Sequence, residues 1–148
     1  MKQQSGQPLA YAAGRQLAER IGSEGRTEDI DLLASIPKYW IKRLVTGVNS
    51  AETIMSGLSR QAKKCRVQDL LVCQRRINKQ SLLSPDQRRR NVRGAWRVSD
   101  RYDVEGLRIM LVDDIMTTGA TANAAARALK HAGAASVTVA VVGRASKV

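Results

Sequence analysis

The sequence is poor in aromatic residues, cysteine and histidine, and each shortage argues against a class of protein. Its three tyrosines and two tryptophans, with no phenylalanine, are scattered, whereas a platform that stacks single-stranded bases needs clustered aromatics. Cys65 and Cys73 lie eight residues apart, and the one histidine is distant, a spacing that favours neither a zinc site nor a disulfide framework. No apolar run approaches the roughly 18–20 residues that cross a bilayer, and no signal peptide is evident. We expect a reduced, cytoplasmic protein.

The sequence contains enough hydrophobic residues to form one core. Hydrophobic residues make up 43% of the 148 residues, which is typical of a globular protein and too many for a disordered chain. Domains most often span about 100–150 residues. The sequence therefore predicts a single domain over residues 1–148.

Positive charge is concentrated in the middle of the chain. The formal net charge is +12, and residues 60–101 contain thirteen basic and three acidic side chains, which leaves the flanking segments close to neutral. An anionic partner is therefore expected to meet this segment. Nucleic acid and a polyphosphate metabolite both satisfy that requirement, and composition does not separate them.

The pattern of apolar residues and caps predicts an α/β protein. Helices are indicated over residues 8–21 and 49–63, and Ser84-Pro85-Asp86-Gln87 is a capping-box signature for a third. Short apolar runs predict strands at 31–36, 69–73 and 95–99. The last third reads as a strand at 107–112, a polar loop, a helix at 122–132 capped by Gly133 and a strand at 136–142. This βαβ unit implies a parallel sheet with ligands at the carboxyl ends of its strands.

The polar loop after residue 112 has the residues that a ribose phosphate requires. Gly119, three threonine hydroxyls and consecutive backbone N–H groups converge at the start of a helix, which favours a phosphate. The adjacent Asp113 and Asp114 would repel that phosphate, but they can accept hydrogen bonds from sugar hydroxyls or from water on a hydrated Mg²⁺. The alternative is that Asp113 caps the helix and the threonines only satisfy the turn.

Residues 109–121, an apolar strand followed by two acids and Thr-Thr-Gly-Ala-Thr, resemble the 5-phosphoribosyl-1-pyrophosphate (PRPP) motif of type I phosphoribosyltransferases. Further segments resemble the competence-associated ComF family within that class, and together the resemblance covers roughly residues 8–144. These segments are Ile36-Pro37, Gly47-Val48-Asn49, Gln80 to Ser84, Arg88, Asn91 and Gly94-Ala95-Trp96.

The resemblance implies a fold, a reaction and a ligand set. The fold would be type I phosphoribosyltransferase-like, with a mostly parallel central sheet flanked by helices and a flexible basic hood at residues 74–94. The reaction would transfer the 5-phosphoribosyl group of PRPP to a nitrogenous acceptor that the sequence does not identify, with release of pyrophosphate. Mg²⁺ would arrive with PRPP, with no metal site of the protein's own. Type I relatives are commonly dimers, so a homodimer is also allowed.

The resemblance also assigns roles residue by residue. Asp113 and Asp114 would hold the ribose hydroxyls, and Arg88 matches a signature position near the polyphosphate. Lys42 and Arg43 would face the pyrophosphate. The 5-phosphate cradle would comprise Thr117, Thr118, Gly119, Ala120 and Thr121.

Two departures from the family pattern are visible. Many members carry an N-terminal four-cysteine zinc module, which this sequence lacks. Thr46 stands where the family usually has arginine, which removes one cation from the predicted pyrophosphate loop.

The arginine-rich run that contains Arg88, Arg89 and Arg90 has three interpretations: a nucleic-acid contact, a polyphosphate contact or a solvated helix face. Two hypotheses for the whole protein follow. One is a Mg²⁺-dependent phosphoribosyltransferase, and the other is a non-catalytic PRPP-sensing or nucleic-acid-associated competence protein that binds DNA through residues 60–101.

His131, in a last helical turn, is expected to be structural, and Trp96 to pack in the core.

Overall fold

The computed structural model describes residues 7–37, 50–67, 69–75, 84–116 and 118–145. The predicted site residues Lys42, Arg43 and Thr117 lie outside these ranges, as do Thr46 and the start of the ComF signature at Gln80. In chain order the described elements are α1 (Gln7–Ser23), β1 (Leu32–Ser35), α2 (Ser50–Ala62), β2 (Cys65–Val67), β3 (Leu71–Cys73), α3 (Pro85–Val92), β4 (Trp96–Val98), β5 (Arg108–Met116), α4 (Ala120–His131) and β6 (Ser136–Arg144).

Four parallel strands form the main sheet, in the order β2-β1-β5-β6. Leu32 lies opposite Ile109 and Ser35 opposite Val112, so β1 and the first part of β5 run side by side. The pairing of β5 with β6 continues further, from Arg108 opposite Ser136 to Met116 opposite Arg144. The α/β class with a parallel sheet and flanking helices is therefore confirmed.

The two faces of the sheet bury alternate residues of the same strands, as the pleat requires. Leu33, Met110 and Val112 pack with Ile54 and Leu58 of α2, on the face that α1 and α2 cover. The opposite face is covered by α4, and its cluster includes Leu32, Ala34, Ile109, Leu111 and Leu129. The strands are thus buried on both sides, which explains their continuous apolar sequences.

A separate antiparallel ribbon, β3 paired with β4, lies on the α4 side of the sheet. Leu71 and Trp96 of this ribbon belong to the same buried cluster as Ile109 and Leu111. Helix α3 connects the two ribbon strands and begins with the predicted capping box, in which Ser84 and Gln87 each accept the other's backbone N–H. The ribbon therefore anchors α3 to the core. Flexibility of the predicted hood stays a prediction.

Three local predictions need correction. Asp113 and Asp114 lie within β5 and not in a loop, because β6 pairs with β5 as far as Met116. Helix α4 begins at Ala120, two residues earlier than expected, because Gly119 in the left-handed region ends the preceding turn. Strand β2, which begins at Cys65 and pairs with β1 at the edge of the sheet, was not among the predicted strands.

Helices α1 and α2 approach closely through two glycines. A Cβ atom built on Gly14 would collide with the Ile54 carbonyl oxygen, and one on Gly57 with the Tyr11 carbonyl oxygen. Because both clashes involve backbone atoms, side-chain rotation cannot relieve them. The helices would have to separate to admit even one methyl group.

Replacing either glycine by alanine is expected to lower the free energy of unfolding by about 2 kcal/mol, the usual cost of overpacking. Denaturant unfolding of Gly14→Ala and Gly57→Ala measures this. Gly22→Ala is the matched control, since a Cβ at Gly22 meets nothing within 4 Å and alanine favours helix by up to about 1 kcal/mol. Equal stabilities for Gly14→Ala and Gly22→Ala would contradict the close approach.

An ion pair joins the amino ends of the two central strands. Arg108 donates from Nε to Asp31 Oδ2 (3.0 Å) and from a terminal nitrogen to Asp31 Oδ1 (2.8 Å), and its backbone N–H also reaches Oδ2 (2.9 Å). Asp29 accepts a further bond at 3.1 Å. These hydrogen bonds from Arg108 lower the pKa of Asp31 from 3.8 to about 2.

The depressed pKa predicts an acid-sensitive contribution to stability. The contribution is present above about pH 4, where unfolded Asp31 is ionised, and is lost as the pH falls through about 2. Asp31→Asn is therefore expected to lower the melting temperature at pH 7, and the difference from the native chain should shrink between pH 4 and pH 2. Asp100→Asn, which removes an exposed pair with Arg97, should change it little. A pH-independent difference would disprove the assignment.

Candidate phosphate-binding site

The carboxyl ends of β1 and β5 lie where the chain changes direction in the sheet. From β1 the chain crosses through α2 to β2 on one side, and from β5 it crosses through α4 to β6 on the other. Helices α2 and α4 cover opposite faces. A crevice opens at such a switch point in parallel sheets, and ligands bind there.

Asp113 and Asp114 lie in β5 just beyond its last bond to β1, which the Ile36 N–H donates to the Val112 carbonyl at 3.1 Å. Both side chains are half-buried. The Asp114 N–H donates to Asp113 Oδ1 and the Ile115 N–H to Asp114 Oδ1, each at 2.9 Å. Strand alternation sends the two carboxylates to opposite faces. Carboxylate oxygens at the end of a strand can accept hydrogen bonds from a diol.

Helix α4 starts without a capping side chain, in contrast to α3. Its N-cap is Gly119, which has φ +74° and no side chain. Thr118 Oγ1 accepts the Ala120 N–H at 3.4 Å, and the Asn123 N–H makes the first helical bond to the Gly119 carbonyl at 2.8 Å. Gly119 itself brings no side chain to this helix end, and the partial positive charge of a helix N-terminus suits an anion.

A cavity of about 300 Å³ opens at this helix end. Thr118, Gly119 and Ala120 form one wall, and Pro85 and Arg89 of α3 form another. Because Pro85 is the first helical residue of α3, two helix N-termini border the same cavity. Both dipoles and one guanidinium thus favour a phosphate there.

Arg89 is available to an anion. Among the described residues its guanidinium pairs with Asp86, at 2.8 Å, and the two side chains are 69% and 79% exposed. An ion pair this exposed contributes little energy, so a phosphate in the cavity can take the guanidinium without a large penalty.

A second, larger cavity of about 580 Å³ continues from the first between α3 and α4. Its polar residues are Arg89, Arg90, Arg93, Asn123, Arg127 and His131, and we call it the arginine groove. Arg75 stabilises the end of α3 at one border of the groove, because its guanidinium donates to the carbonyls of Arg90 and Arg93. Arg89 and Asn123 line both cavities.

The predicted site residues divide into groups in the structure. Thr118, Gly119 and Ala120 line the smaller cavity together, whereas Thr121, in the first turn of α4, is not among its lining residues. The role of Arg88 stays a prediction: its side chain is half-buried in α3, and its neighbour Arg89 lines the cavities.

Sequence analysis did not single out three residues that line these cavities, namely Arg89, Asn123 and Arg127. Signals existed for Asn123 and Arg127. Asn123, Arg127 and His131 recur every four residues in an alanine-rich helix, which places them on one face. Choosing Arg89 over its neighbours required the position of α3 relative to α4, which no sequence pattern contains.

The fold is that of a parallel α/β protein with a cavity at a strand-to-helix turn. The sequence-family model of the phosphoribosyl transferase domain matches residues 7–147 of this chain. The chain therefore belongs to that family. The resemblance to the competence-associated type I members is thereby confirmed.

Curated relatives support the same family. The chain is 30% identical over 134 residues to the DNA utilization protein YhgH of Escherichia coli O157:H7. It is 31% identical over 135 residues to the protein of that name from Escherichia coli O6:H1. Each alignment covers 88% of this chain and 58% of the relative, so the chain spans little more than half the length of these proteins.

Solved structures share the fold. Glutamine PRPP amidotransferase from B. subtilis, complexed with ADP and GMP, matches 89% of this chain and 26% of its own with a TM-score of 0.57 and 22% identity. Hypoxanthine phosphoribosyl transferase of Trypanosoma cruzi matches 95% of this chain and 76% of its own, with a TM-score of 0.58 and 13% identity. At these identities the likeness concerns the fold alone.

Gly119→Ala tests the uncapped helix end. A φ of +74° costs an L-residue roughly 1–2 kcal/mol, and relief of that strain would misalign the N–H groups of the turn. We expect calorimetry to show ribose 5-phosphate binding weakened about tenfold. Gly106→Ala is the matched control, because Gly106 has φ +72° in a distant turn with open space around it. Equal binding by both variants would argue against a phosphate at Gly119.

Proposed function

We propose that the chain binds PRPP and transfers its 5-phosphoribosyl group to a nitrogenous acceptor, with pyrophosphate as the other product. The observation that carries this proposal is the glycine N-cap of α4, Gly119, three residues after the end of β5, the strand that contains Asp113 and Asp114. The helix end suits the 5-phosphate, and the carboxylates suit the ribose hydroxyls. Both ligand parts belong to one molecule, and family membership is consistent with it.

In this mechanism the bond between ribose C1 and the pyrophosphate oxygen breaks, its electron pair leaves with pyrophosphate, and a bond from C1 to the acceptor nitrogen forms. Holding the 5-phosphate and the diol orients C1 toward the acceptor. Arg89, together with Lys42 and Arg43 if they lie as the resemblance implies, would balance the charge of the phosphates. His131 lies roughly 16 Å along α4 from Ala120, too far to act as a base there.

The residues present are compatible with Mg²⁺ that arrives with PRPP. Within the described ranges no cluster of three or more His, Cys, Asp or Glu side chains could hold a metal. Asp113 and Asp114 supply the carboxylate oxygens that Mg²⁺ prefers, and this ion usually keeps waters and substrate phosphates as its remaining ligands. When bound, it would offset the charge that develops on pyrophosphate.

Calorimetric titration of PRPP with Mg²⁺ tests the binding step. We expect binding to weaken at least tenfold in Asp113→Asn/Asp114→Asn, because charge-assisted hydrogen bonds to the diol are lost. Asp69→Asn/Asp100→Asn changes the net charge equally at exposed positions and should bind PRPP normally. Failure of the native, folded protein to bind PRPP would overturn the proposal. Pyrophosphate release across a panel of bases and amines then separates an enzyme from a PRPP sensor.

DNA association in a competence pathway is a second candidate, favoured by the basic segment 60–101 and by the name DNA utilization protein that the relatives carry. Binding through phosphate contacts would weaken steeply with salt. A filter-binding assay with Arg88, Arg89 and Arg90 neutralised tests it, and unchanged DNA affinity would reject this surface.

Among the described residues no helix is long and apolar enough to span a membrane.

A further inference from the structure

The arginine groove gathers four arginines, and only Arg89 among them has a carboxylate partner within the described residues. Arg90, Arg93 and Arg127 line it from two facing helices, and no carboxylate of the described residues forms an ion pair with them. The lining contains no aspartate or glutamate. Like charges in one groove repel one another. An anion bound there is therefore attracted by each of these guanidinium groups. Guanidinium groups bind phosphate oxygens with paired N–H donors.

The floor of the groove is apolar and shaped by small residues. Ala120, Ala124 and Ala128 recur every four residues along α4 and face Val92 and Trp96. Larger side chains at these alanines would fill the space between the helices. The half-buried Ala124 and Ala128 leave apolar surface for a ring system beside cations for several phosphates.

From this combination we infer that the arginine groove binds a nucleoside di- or triphosphate, at a place separate from the crevice of Asp113 and Asp114. A volume of about 580 Å³ lies within the usual 300–1,000 Å³ of small-molecule sites. A nucleic-acid strand fits less well, because Trp96 is the only aromatic lining residue and is 5% exposed. It offers no surface on which successive bases could stack.

The groove is coupled to the smaller cavity through shared residues. Arg89 and Asn123 line both, so a nucleotide phosphate that recruits Arg89 withdraws it from the 5-phosphate. Nucleotide binding therefore weakens PRPP binding several-fold, and PRPP weakens nucleotide binding by the same factor. The coupling rests on the proposed function, whereas nucleotide binding does not.

Calorimetric titration with ADP tests the site, alongside adenosine and tripolyphosphate as partial ligands. We expect ADP to bind more tightly than either and to bind at least tenfold more weakly to Arg93→Gln/Arg127→Gln. Arg20→Gln/Arg101→Gln, the matched control, removes the same charge at exposed positions outside the groove and should bind ADP normally. Ala128→Leu keeps every charge but fills the groove, and it should also weaken ADP binding. Melting temperatures verify that each variant is folded.

Several outcomes would overturn the inference. The native protein failing to bind ADP, or ADP binding that neither Arg93→Gln/Arg127→Gln nor Ala128→Leu weakens, rejects the site. Binding of a single-stranded oligonucleotide but not of ADP, lost in the same variants, assigns the groove to nucleic acid instead. ADP binding without any PRPP binding rejects the proposed function and retains the nucleotide site. Binding of both ligands without mutual weakening rejects the coupling through Arg89.

Discussion

The parallel pairing of β1 with β5 is the constraint on which the site depends. It stops at Ser35 and Val112, whereas β5 stays paired with β6 to Met116. Beyond Val112 one edge of β5 has no strand partner among the described residues, and it lies between the crossovers through α2 and α4. The carboxylates of Asp113 and Asp114 stand at this edge because the strand continues past its neighbour. A crevice forms where two strands of unequal length diverge, with no need for an added loop.

The two helices at the smaller cavity differ in how their N-termini are satisfied. Ser84 and Gln87 complete a capping box for α3, so that end is stable without a ligand. Gly119 provides no such cap for α4, and its positive φ turns the backbone sharply out of β5. A capped end contributes to stability, and an end without a side-chain cap is suited to a ligand. The difference is the reason for proposing the phosphate at α4, with α3 as the second wall of the cavity.

Charge in this protein serves two purposes at opposite ends of the sheet. At the amino ends of β1 and β5, Arg108 is held by Asp31 and Asp29 and fastens the strands. Between α3 and α4, Arg90, Arg93 and Arg127 face a groove and form no ion pair with a carboxylate of the described residues. Arg108, held by Asp29 and Asp31, fastens two strands. The arginines of the groove are the ones proposed to bind an anion. This division is a physical reason to separate the stabilising arginine from those that bind ligands.

Sequence alone determined much of this protein: the α/β class, most element positions, the capping box at Ser84 and the strand-to-helix turn at Gly119. Each depends on local rules, namely apolar periodicity, caps and a motif contained in thirteen residues. It did not place Asp113 and Asp114 in a strand, because that depends on where β6 pairs, or show that α1 and α2 touch through Gly14 and Gly57. Nor did it choose Arg89 from its neighbours or find the groove with Arg127. Those features arise from contacts between segments distant in sequence, and only the tertiary structure decides them.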